Sequence, residues 1–458
     1  MDFIHQLVSD INGLLWGWPM IILLFGTHVF LTLRLKIPQR KMFKSIRLSL
    51  AKDKGSEGDV SQFAALATSL AATIGTGNIV GVATAVSLGG PGAVLWCWLA
   101  GLFGIATKYG EGLLAIKYRV KTKDGRMWGG PMYALERGLG MKWLAVLFCV
   151  FAAIATLGIG NSVQANALSE NITYICSGFS NPHDTKLVVG FFLSALVGFV
   201  IIGGVKTIAR WCSVLVPFMA ILYVIGCLYI LAVNSPYLID AVKLICREAF
   251  SLKAVGGGTT GTVMMAASRY GIARGLFSNE SGMGSAPIVA AAAKTRNPVR
   301  QALVSSTGTF WDTVVICGIT GLVIVSSILA YPELKDVDCG ALTSEAFSKI
   351  PYIGTPFLTF GILTFAFSTI IGWSYYGERC MEYLAGRRSI IFYRIIYILL
   401  VFAGSSISLN LAWSVSDIMN ALMAIPNLVS LLLLSGVIAK ETQYYLWEDH
   451  LDENTEPE

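Results

Sequence analysis

The chain has 458 residues, of which 55% are hydrophobic and only 14% are charged, and its mean hydropathy is +0.65. A soluble protein of this length carries about a quarter charged residues, so this composition excludes an ordinary soluble protein. The net charge of +6 does not indicate nucleic-acid binding, because the cations lie in short segments between apolar runs.

Apolar runs of about 20 residues, the length of a transmembrane helix, recur along the chain. We count eleven: 11–33, 61–87, 91–116, 143–168, 187–205, 211–233, 257–293, 301–330, 354–377, 389–406 and 409–438. The first is a permanent span rather than a cleaved signal, since Asp2, His5 and Asp10 precede it instead of a basic region. The sequence thus predicts an all-α, polytopic membrane protein with eleven transmembrane helices.

The distribution of Lys and Arg between these runs predicts the orientation. Eleven spans place successive connecting segments on alternate sides, and one set of segments holds 25 Lys and Arg while the other holds 6. The positive-inside rule places the first set in the cytoplasm. We therefore expect a protein of the cell (inner) membrane with its N-terminus outside and its C-terminus inside.

Setting the first span aside leaves ten, which divide into five and five. The divisions are 1–60 (first helix and basic cytoplasmic segment), 61–233 (first repeat), 234–438 (second repeat) and 439–458 (acidic cytoplasmic tail) of one membrane transport domain. We expect a solvated tail. Residues 240–250 alternate apolar and charged side chains and predict a short amphipathic helix on the outer surface.

Two runs are interrupted by small and polar residues at matching positions. The second run, which opens the first repeat, contains "AATIGTGNIVG" at 71–81, and the seventh, which opens the second repeat, contains "SNESGMGSAP" at 278–287. By the predicted topology the first starts inside and the second outside. Paired interruptions in inverted halves indicate the binding site of a secondary transporter. A single such stretch is more often a helix-packing motif, as the spacing of Gly77 and Gly81 illustrates.

The chemistry of a helix break indicates what would bind there. Freed backbone groups cost several kcal/mol each in hydrocarbon, so they must line a wet cavity or meet a ligand. The half-helix ending near Thr73 presents carbonyls suited to a cation, and the half-helix starting near Asn78 presents N–H groups suited to a carboxylate. Gly75 and Gly77 allow close approach of the backbone. Sodium plus an amino acid fits both.

Other functional classes fit less well. An intramembrane enzyme needs a nucleophile–base pair or a metal cluster, and a channel needs a continuous polar path. The nine cysteines include no CxxC motif, and the four histidines are scattered. A disulfide among Cys176, Cys246 and Cys339 is an alternative to free thiols packed as small apolar residues. We expect no enzyme activity, no cofactor, no nucleic-acid partner and a monomer in the lipid bilayer.

Ionisable residues inside the runs are candidates for function. Glu280 lies in the second interruption with Arg274 less than two turns before it, Asp312 lies in the eighth run, and Glu111 lies in the third. We expect Glu280 to pair with Arg274, since an unpaired buried carboxylate is costly. The alternative is that Glu280 or Asp312 carries a proton.

Four stretches together resemble the alanine or glycine:cation symporter family, over about residues 15 to 440. They are "AATIGTGNIVGVATA", "GGPGAVLWCWLAGLFGIATKYGEGLLA", "RYGIARGLFSNESGMGSAP" and "FSTIIGWSYYGER". One departure is "LWCW" at 95–98, where the family commonly has Phe-Trp-Met-Trp. The resemblance implies a leucine-transporter-like 5+5 inverted repeat with one extra N-terminal helix, and sodium-coupled symport of alanine or glycine. A proton-coupled carrier for a small zwitterion is the alternative.

The resemblance and the two breaks together suggest ligands. For the substrate carboxylate we expect the backbone N–H groups of Thr76, Gly77 and Asn78, with the side chain of Asn78 assisting. For the amino group we expect carbonyls around Phe277 and Ser278, with the hydroxyl of Ser278 or Ser281 nearby. Gln164 is either a polar ligand or a helix–helix hydrogen bond, while Phe277 and Trp373 close the pocket over a small side chain. The implied sodium ligands are carbonyls near Ala72 and Gly75, the carbonyl of Phe365 and the hydroxyls of Ser368 and Thr369. These hydroxyls instead bond to their own helix when they serve no ion.

Overall fold

The computed structural model describes residues 2–51, 56–176, 181–252, 263–337, 341–351, 354–407 and 410–454. These residues are mainly helical, and a small antiparallel pair of strands, β1 (Val120–Lys121) and β2 (Met127–Trp128), joins two helices. The apolar composition of the runs favours helices, because a helix satisfies its own backbone hydrogen bonds in lipid.

The helices follow the predicted runs closely. The helices of the first half are α1 Asp2–Leu15, α2 Trp18–Arg34, α3 Met42–Ser49, α4 Gln62–Thr73, α5 Val82–Gly89, α6 Ala93–Lys117, α7 Pro131–Tyr133, α8 Lys142–Leu157, α9 Val163–Cys176, α10 Pro182–Ile202 and α11 Gly204–Val233. The second half holds α12 Ser235–Ala249, α13 Val263–Asn279, α14 Ala286–Ala290, α15 Pro298–Thr309, α16 Gly318–Ala330, α17 Leu342–Ser348, α18 Gly354–Ala385, α19 Ser389–Ser406, α20 Asn410–Leu433 and α21 Ser435–Thr442. Short π-helical or 3₁₀ segments are Pro38–Lys41, Gly77–Gly81, Ala134–Gly138, Gly158–Ser162, Phe310–Cys317, Pro332–Asp336 and Gln443–Trp447.

Within the described ranges, nine helices are long and apolar enough to cross a membrane, or ten when a bent pair is counted as one span. The bent pair is Gln62–Thr73 with Gly77–Gly89, which turns by 55° where the second predicted run is interrupted. The seventh predicted run is interrupted too, since α13 ends at Asn279 and α14 begins at Ala286. Residues 253–262 of that run lie outside the described residues.

The broken helices lie at the centre of the molecule. Helix α4 packs against α11 and α18, α13 packs against α5 and α6, and α8 packs against α18 and α20. Exposed apolar side chains follow α10, α11 and α19, as expected for helices that face lipid. The predicted N-terminal span falls mainly on α2, and α1 before it packs on α20. There Asp417 accepts hydrogen bonds from Asn12 Nδ2 and from the Trp16 indole, both at 3.2 Å.

The end of the chain differs from the solvated tail that its acidity predicted. Leu451 is only 3% exposed, and its carbonyl accepts a hydrogen bond from Asn297 Nδ2 at 2.8 Å. Arg300 Nη1 lies 2.5 Å from Asp452 Oδ1. The difference lies at Leu451, whose backbone is bound by a buried polar group at the start of α15. The acidic side chains of Glu448, Asp449, Asp452 and Glu453 are exposed, as a solvated tail requires.

Two smaller predictions have mixed outcomes. Residues 240–250 fall within α12, apart from the last one, and its buried face repeats every four residues at Ala241, Ile245 and Ala249, as an amphipathic helix requires. Cys246 has an exposed free thiol, and Cys339 lies outside the described residues. Among the residues that are described, no group of three or more His, Cys, Asp or Glu side chains is placed to hold a metal ion.

Candidate functional site

The first break exposes backbone donors at the start of a half-helix. Helix α4 ends at Thr73, and the N–H of Gly75 is taken up by Asn78 Oδ1 at 2.8 Å. The N–H groups of Thr76 and Gly77 make no hydrogen bond with any other described residue. Because the positive end of the half-helix dipole lies here, these two donors are suited to an anionic group.

The second break exposes backbone acceptors at the end of a half-helix. The N–H groups that would have continued the helix are diverted, since Ser281 N donates to Asn279 Oδ1 at 2.9 Å and Gly282 N donates to Glu111 Oε1 at 3.0 Å. Within the described ranges, the carbonyls of Phe277 and Ser278 consequently accept no hydrogen bond. They carry the partial negative charge of the helix end and suit a cationic group.

A buried carboxylate holds the second break in shape. Glu111 Oε1 accepts hydrogen bonds from Gly282 N and Gly284 N at 3.0 Å and from Asn427 Nδ2 at 2.7 Å. Both glycines have positive φ, at 90° and 87°, which a residue with a side chain adopts only under strain. The neighbouring Glu280 also has a positive φ of 54°. The backbone conformation of "NESGMG" is thus held by hydrogen bonds to the buried side chain of Glu111.

The two breaks face one small cavity. Eight of the predicted ligands line it: Ala72, Gly75, Gly77, Gln164, Phe277, Ser278, Thr369 and Trp373. Thr76 adjoins it through its hydroxyl, which donates to Gln164 Oε1 at 2.9 Å. Glu280, Ile159 and Asn420 complete the wall together with Thr73. Unpaired donors from one break and unpaired acceptors from the other therefore meet across a single space.

Asn78 ties the two breaks together. Its side chain is fully buried, and Nδ2 donates to Ser278 Oγ at 2.9 Å and to Asp312 Oδ1 at 2.8 Å. Asp312 Oδ2 also accepts from Ser278 Oγ at 2.9 Å and from Thr313 Oγ1 at 2.7 Å. The backbone N–H of Asn78 also donates, to the carbonyl of Gly75 at 3.2 Å. Neither its backbone nor its side chain therefore has a donor left for a carboxylate, unlike what the sequence predicted.

Gln164 makes the hydrogen bond between segments that was one of its two predicted roles, and it also lies at the cavity. Its Oε1 accepts from Thr76 Oγ1, and its Nε2 donates to the carbonyl of Ile159 at 3.2 Å. Gln164 thus joins α9 to the first break, and its side chain forms part of the cavity wall.

Trp373 and Phe277 bound the cavity with aromatic surface. Trp373 is 2% exposed, and its indole N–H donates to the carbonyl of Ala72 at 3.2 Å. Phe277 lies edge-on to Trp16, with ring centroids 6.1 Å apart. A Cβ placed on Gly77 would lie 3.8 Å from the Phe277 ring. Both rings therefore limit the space for a substrate side chain.

The predicted sodium ligands are only partly grouped at the cavity. Thr369 Oγ1 lies over the first break, 3.4 Å from the carbonyl of Ile74. The Ser368 hydroxyl instead donates to the carbonyl of Phe365 at 2.9 Å within its own helix. Ser368 and Phe365 do not line the cavity, whereas Thr369 does. Thr369 is thus the predicted hydroxyl that the structure places at the break.

Two other predictions find different partners. No ion pair joins Glu280 to Arg274: Glu280 accepts a short hydrogen bond from Ser285, and the guanidinium of Arg274 lies 5.9 Å from the ring centroid of Phe277. Arg274 instead interacts electrostatically with Asp417 on α20. Ser281 Oγ pairs with Thr309 Oγ1 at 2.9 Å and does not line the cavity.

The sequence interpretation missed Lys108, which is the buried cation of this region. It is 2% exposed, and its Nζ donates to the carbonyl of Asn279 at 2.8 Å. It interacts electrostatically with Glu111, Glu280 and Asp312. Its position three residues before Glu111, in the third apolar run, is a signal that the rule for intramembrane charges would have found. Asn420 was missed as well and has no comparable signal.

Gly160→Ala is expected to reduce the initial rate of uptake at least about tenfold, because overpacking a tight site costs about 1–3 kcal/mol. A Cβ at Gly160 would overlap Cβ and Cγ of Trp373 and displace the ring from the carbonyl of Ala72. Gly361→Ala is the matched control, since its Cβ would meet only Tyr223 at 3.8 Å. Equal uptake by the two variants in proteoliposomes would contradict the role given to Trp373.

Comparison with known proteins gives a consistent result. A profile of the sodium:alanine symporter family matches residues 1–458. A sodium/alanine symporter, AgcS, of Methanococcus maripaludis is 49% identical over 453 residues, covering 97% of this chain and 98% of that one. An uncharacterised transporter of Haemophilus influenzae is 51% identical over 447 residues, 96% of each chain. The crystal structure of MhsT in complex with L-phenylalanine superimposes with a TM-score of 0.60 at 18% identity, over 83% of this chain and 90% of that one, which shows the shared fold.

Proposed function

Because the chain belongs to the sodium:alanine symporter family, we propose that it carries alanine into the cell together with sodium by alternating access. It is a transporter and not an enzyme. The two broken helices form the fixed central site, and one set of helices rocks against the other around it.

One observation carries the substrate assignment. The first break offers unpaired N–H groups at Thr76 and Gly77, and the second offers unpaired carbonyls at Phe277 and Ser278. Both pairs belong to residues around the same cavity. An α-amino acid carries a carboxylate and an ammonium group on one carbon atom, so it satisfies both pairs at once.

The size of the substrate follows from the rings around the cavity. Phe277 and Trp373 occupy the space that a longer side chain would need, and Gly160 has no room to let Trp373 move. Adding methylenes to such a site costs about 1–3 kcal/mol. We therefore extend the substrates to glycine and expect larger amino acids to be excluded.

Sodium is the second cargo. We assign it to the first break, with Thr369 as the hydroxyl ligand and carbonyls from the segment between Ala72 and Gly75. Phe365 and Ser368 become ligands once the hydroxyl of Ser368 turns away from its own helix. The C-terminal end of α4, where backbone carbonyls carry partial negative charge, suits a cation here.

The architecture we propose has eleven spans, with the segment from Val263 to Ala290 as the seventh. The N-terminus lies outside the cell membrane and the C-terminus inside, which the uneven distribution of Lys and Arg supports. Two inverted repeats of five spans follow the first helix, and the fold shared with MhsT supports this arrangement.

A second candidate is coupling to protons. Glu280 lines the cavity and accepts a hydrogen bond from Ser285, and the buried cation that acts on it is Lys108. A carboxylate at this position is placed to take a proton instead of a sodium ion.

The experiment is uptake of labelled alanine and glycine into liposomes that contain the purified protein. An inward sodium gradient and an inward proton gradient are imposed in separate vesicles, with empty liposomes as the control. Uptake driven by sodium alone supports the proposal, and uptake driven by protons alone transfers coupling to Glu280. If folded protein takes up neither amino acid, the substrate assignment is wrong.

A further inference from the structure

The amide of Asn420 is a buried polar group without a partner at the substrate cavity. The side chain lies on α20, is 2% exposed and lines the cavity. Its Oδ1 makes no hydrogen bond in the described part of the protein. Buried amides normally have partners, because an unmet donor or acceptor loses its bonds to water and gains nothing.

We propose that Asn420 is a substrate-binding residue whose amide oxygen accepts a hydrogen bond from the ammonium group of the amino acid. This inference rests on the proposed function and adds a third element to the site, since α20 belongs to neither broken helix. The structural alternative, a hydrogen bond between α20 and a neighbouring helix, lacks a partner among the described residues.

The number of hydrogen bonds supports the assignment. A primary ammonium group has three N–H donors, and the second break supplies two unpaired acceptors, the carbonyls of Phe277 and Ser278. Asn420 belongs to the same cavity wall, and its Oδ1 is a third acceptor without a partner among the described residues. The carboxylate end of the substrate has its own donors at Thr76 and Gly77. Each polar group of the bound amino acid then has a partner.

A consequence is selectivity for a primary amine. N-methylation of the substrate removes one N–H and places a methyl group against one acceptor. If Asn420 is that acceptor, the wild-type protein rejects N-methylalanine in part because of Asn420. Shortening the side chain then removes a contact that alanine uses and makes room for the methyl group.

The test measures inhibition of labelled alanine uptake by unlabelled L-alanine and N-methyl-L-alanine in proteoliposomes. Asn420→Ala is expected to raise the inhibition constant of alanine about tenfold, because one buried hydrogen bond to the bound alanine is lost. The constant of N-methylalanine is expected to stay unchanged or improve, so the ratio of the two constants falls. Asn420→Asp keeps an acceptor oxygen and should retain most of the affinity for alanine.

The controls separate this inference from a structural role and from the proposed function. Ser416→Ala changes a buried side chain one turn earlier on the same helix that does not line the cavity, and both constants should stay at wild-type values. Equal weakening of both inhibitors in Asn420→Ala, no weakening of alanine, or an Asn420→Asp variant as weak as Asn420→Ala would overturn the proposal. Absence of alanine uptake by the wild-type protein would instead refute the proposed function. The half-saturating sodium concentration should not change in Asn420→Ala, because the sodium ligands lie on other helices.

Discussion

Replacing Lys108 by Met is expected to lower the free energy of unfolding by about 3–5 kcal/mol and to abolish uptake, because it strands buried carboxylates without their cation. Met keeps most of the apolar length of the side chain and removes the charge. Lys108 is 2% exposed, donates to the carbonyl of Asn279, and acts on Glu111 and Glu280. Loss of Lys108 therefore also leaves the carbonyl of Asn279, at the end of α13, without its hydrogen-bond donor.

A second-site variant distinguishes this electrostatic cause from poor packing. Adding Glu280→Gln to Lys108→Met removes one stranded charge and should restore part of the lost stability, which a double-mutant cycle measures. Thermal unfolding in detergent gives the stability of each variant. Lys121→Met, just beyond the end of the same helix, is the control, because its ion pair with Glu57 is more than half exposed and such surface pairs contribute little to stability. A Lys108→Met protein as stable as wild type would contradict the assignment.

The sequence predicts segments well because helix formation in lipid depends on local properties. Each apolar run satisfies its own backbone, so its length and composition identify it without knowledge of neighbours. The breaks were predictable for the same reason, since "TIGTGN" and "SNESGMG" combine small and polar residues in the middle of long runs. The bend of 55° between the halves of the first broken helix falls at that place.

The partners of buried polar side chains depend on contacts between distant segments. Asn78 and Asp312 are 234 positions apart, and their hydrogen bond requires the π-helical segments Gly77–Gly81 and Phe310–Cys317 to be in register. The expected pair of Glu280 with Arg274 rested on sequence proximity, but Glu280 accepts a hydrogen bond from Ser285 and Arg274 interacts with Asp417. The backbone of Glu280 also has a positive φ. A conformation of this kind has no reliable sequence signal outside glycine.

The end of the chain illustrates the same limit. Its composition suits solvent, but Asn297 and Arg300 at the start of α15 bind its backbone and Asp452. Nothing in the acidic sequence itself specifies those donors. Long-range polar contacts thus account for most of what sequence reasoning missed, while the apolar architecture and the location of the cavity were accessible.

Thr369→Ala is expected to raise the half-saturating sodium concentration for alanine uptake by at least about tenfold, as loss of a group that supports a metal site typically does. Thr369 Oγ1 is a side-chain oxygen at the first break, 2.6 Å from the position that a Cβ on Gly75 would take. Sodium is bound ionically, and its affinity depends on the number and placement of oxygen ligands. Removal of one oxygen therefore weakens sodium binding directly. Thr369→Ser keeps the hydroxyl and should retain coupling.

The same helix supplies the comparison that decides whether this effect belongs to the ion. Thr364→Ala is the matched control, because its hydroxyl bonds to the carbonyls of Phe360 and Gly361 within the helix and does not line the cavity. Ser368→Ala should resemble Thr369→Ala if Ser368 turns toward the ion, and should resemble Thr364→Ala if its bond to Phe365 persists. Sodium-dependent thermal stabilisation reports ion binding without transport, since a ligand that binds the folded state stabilises it. If Thr369→Ala retains both the sodium dependence of uptake and this stabilisation, the ion lies elsewhere, and Glu280 becomes the residue to test.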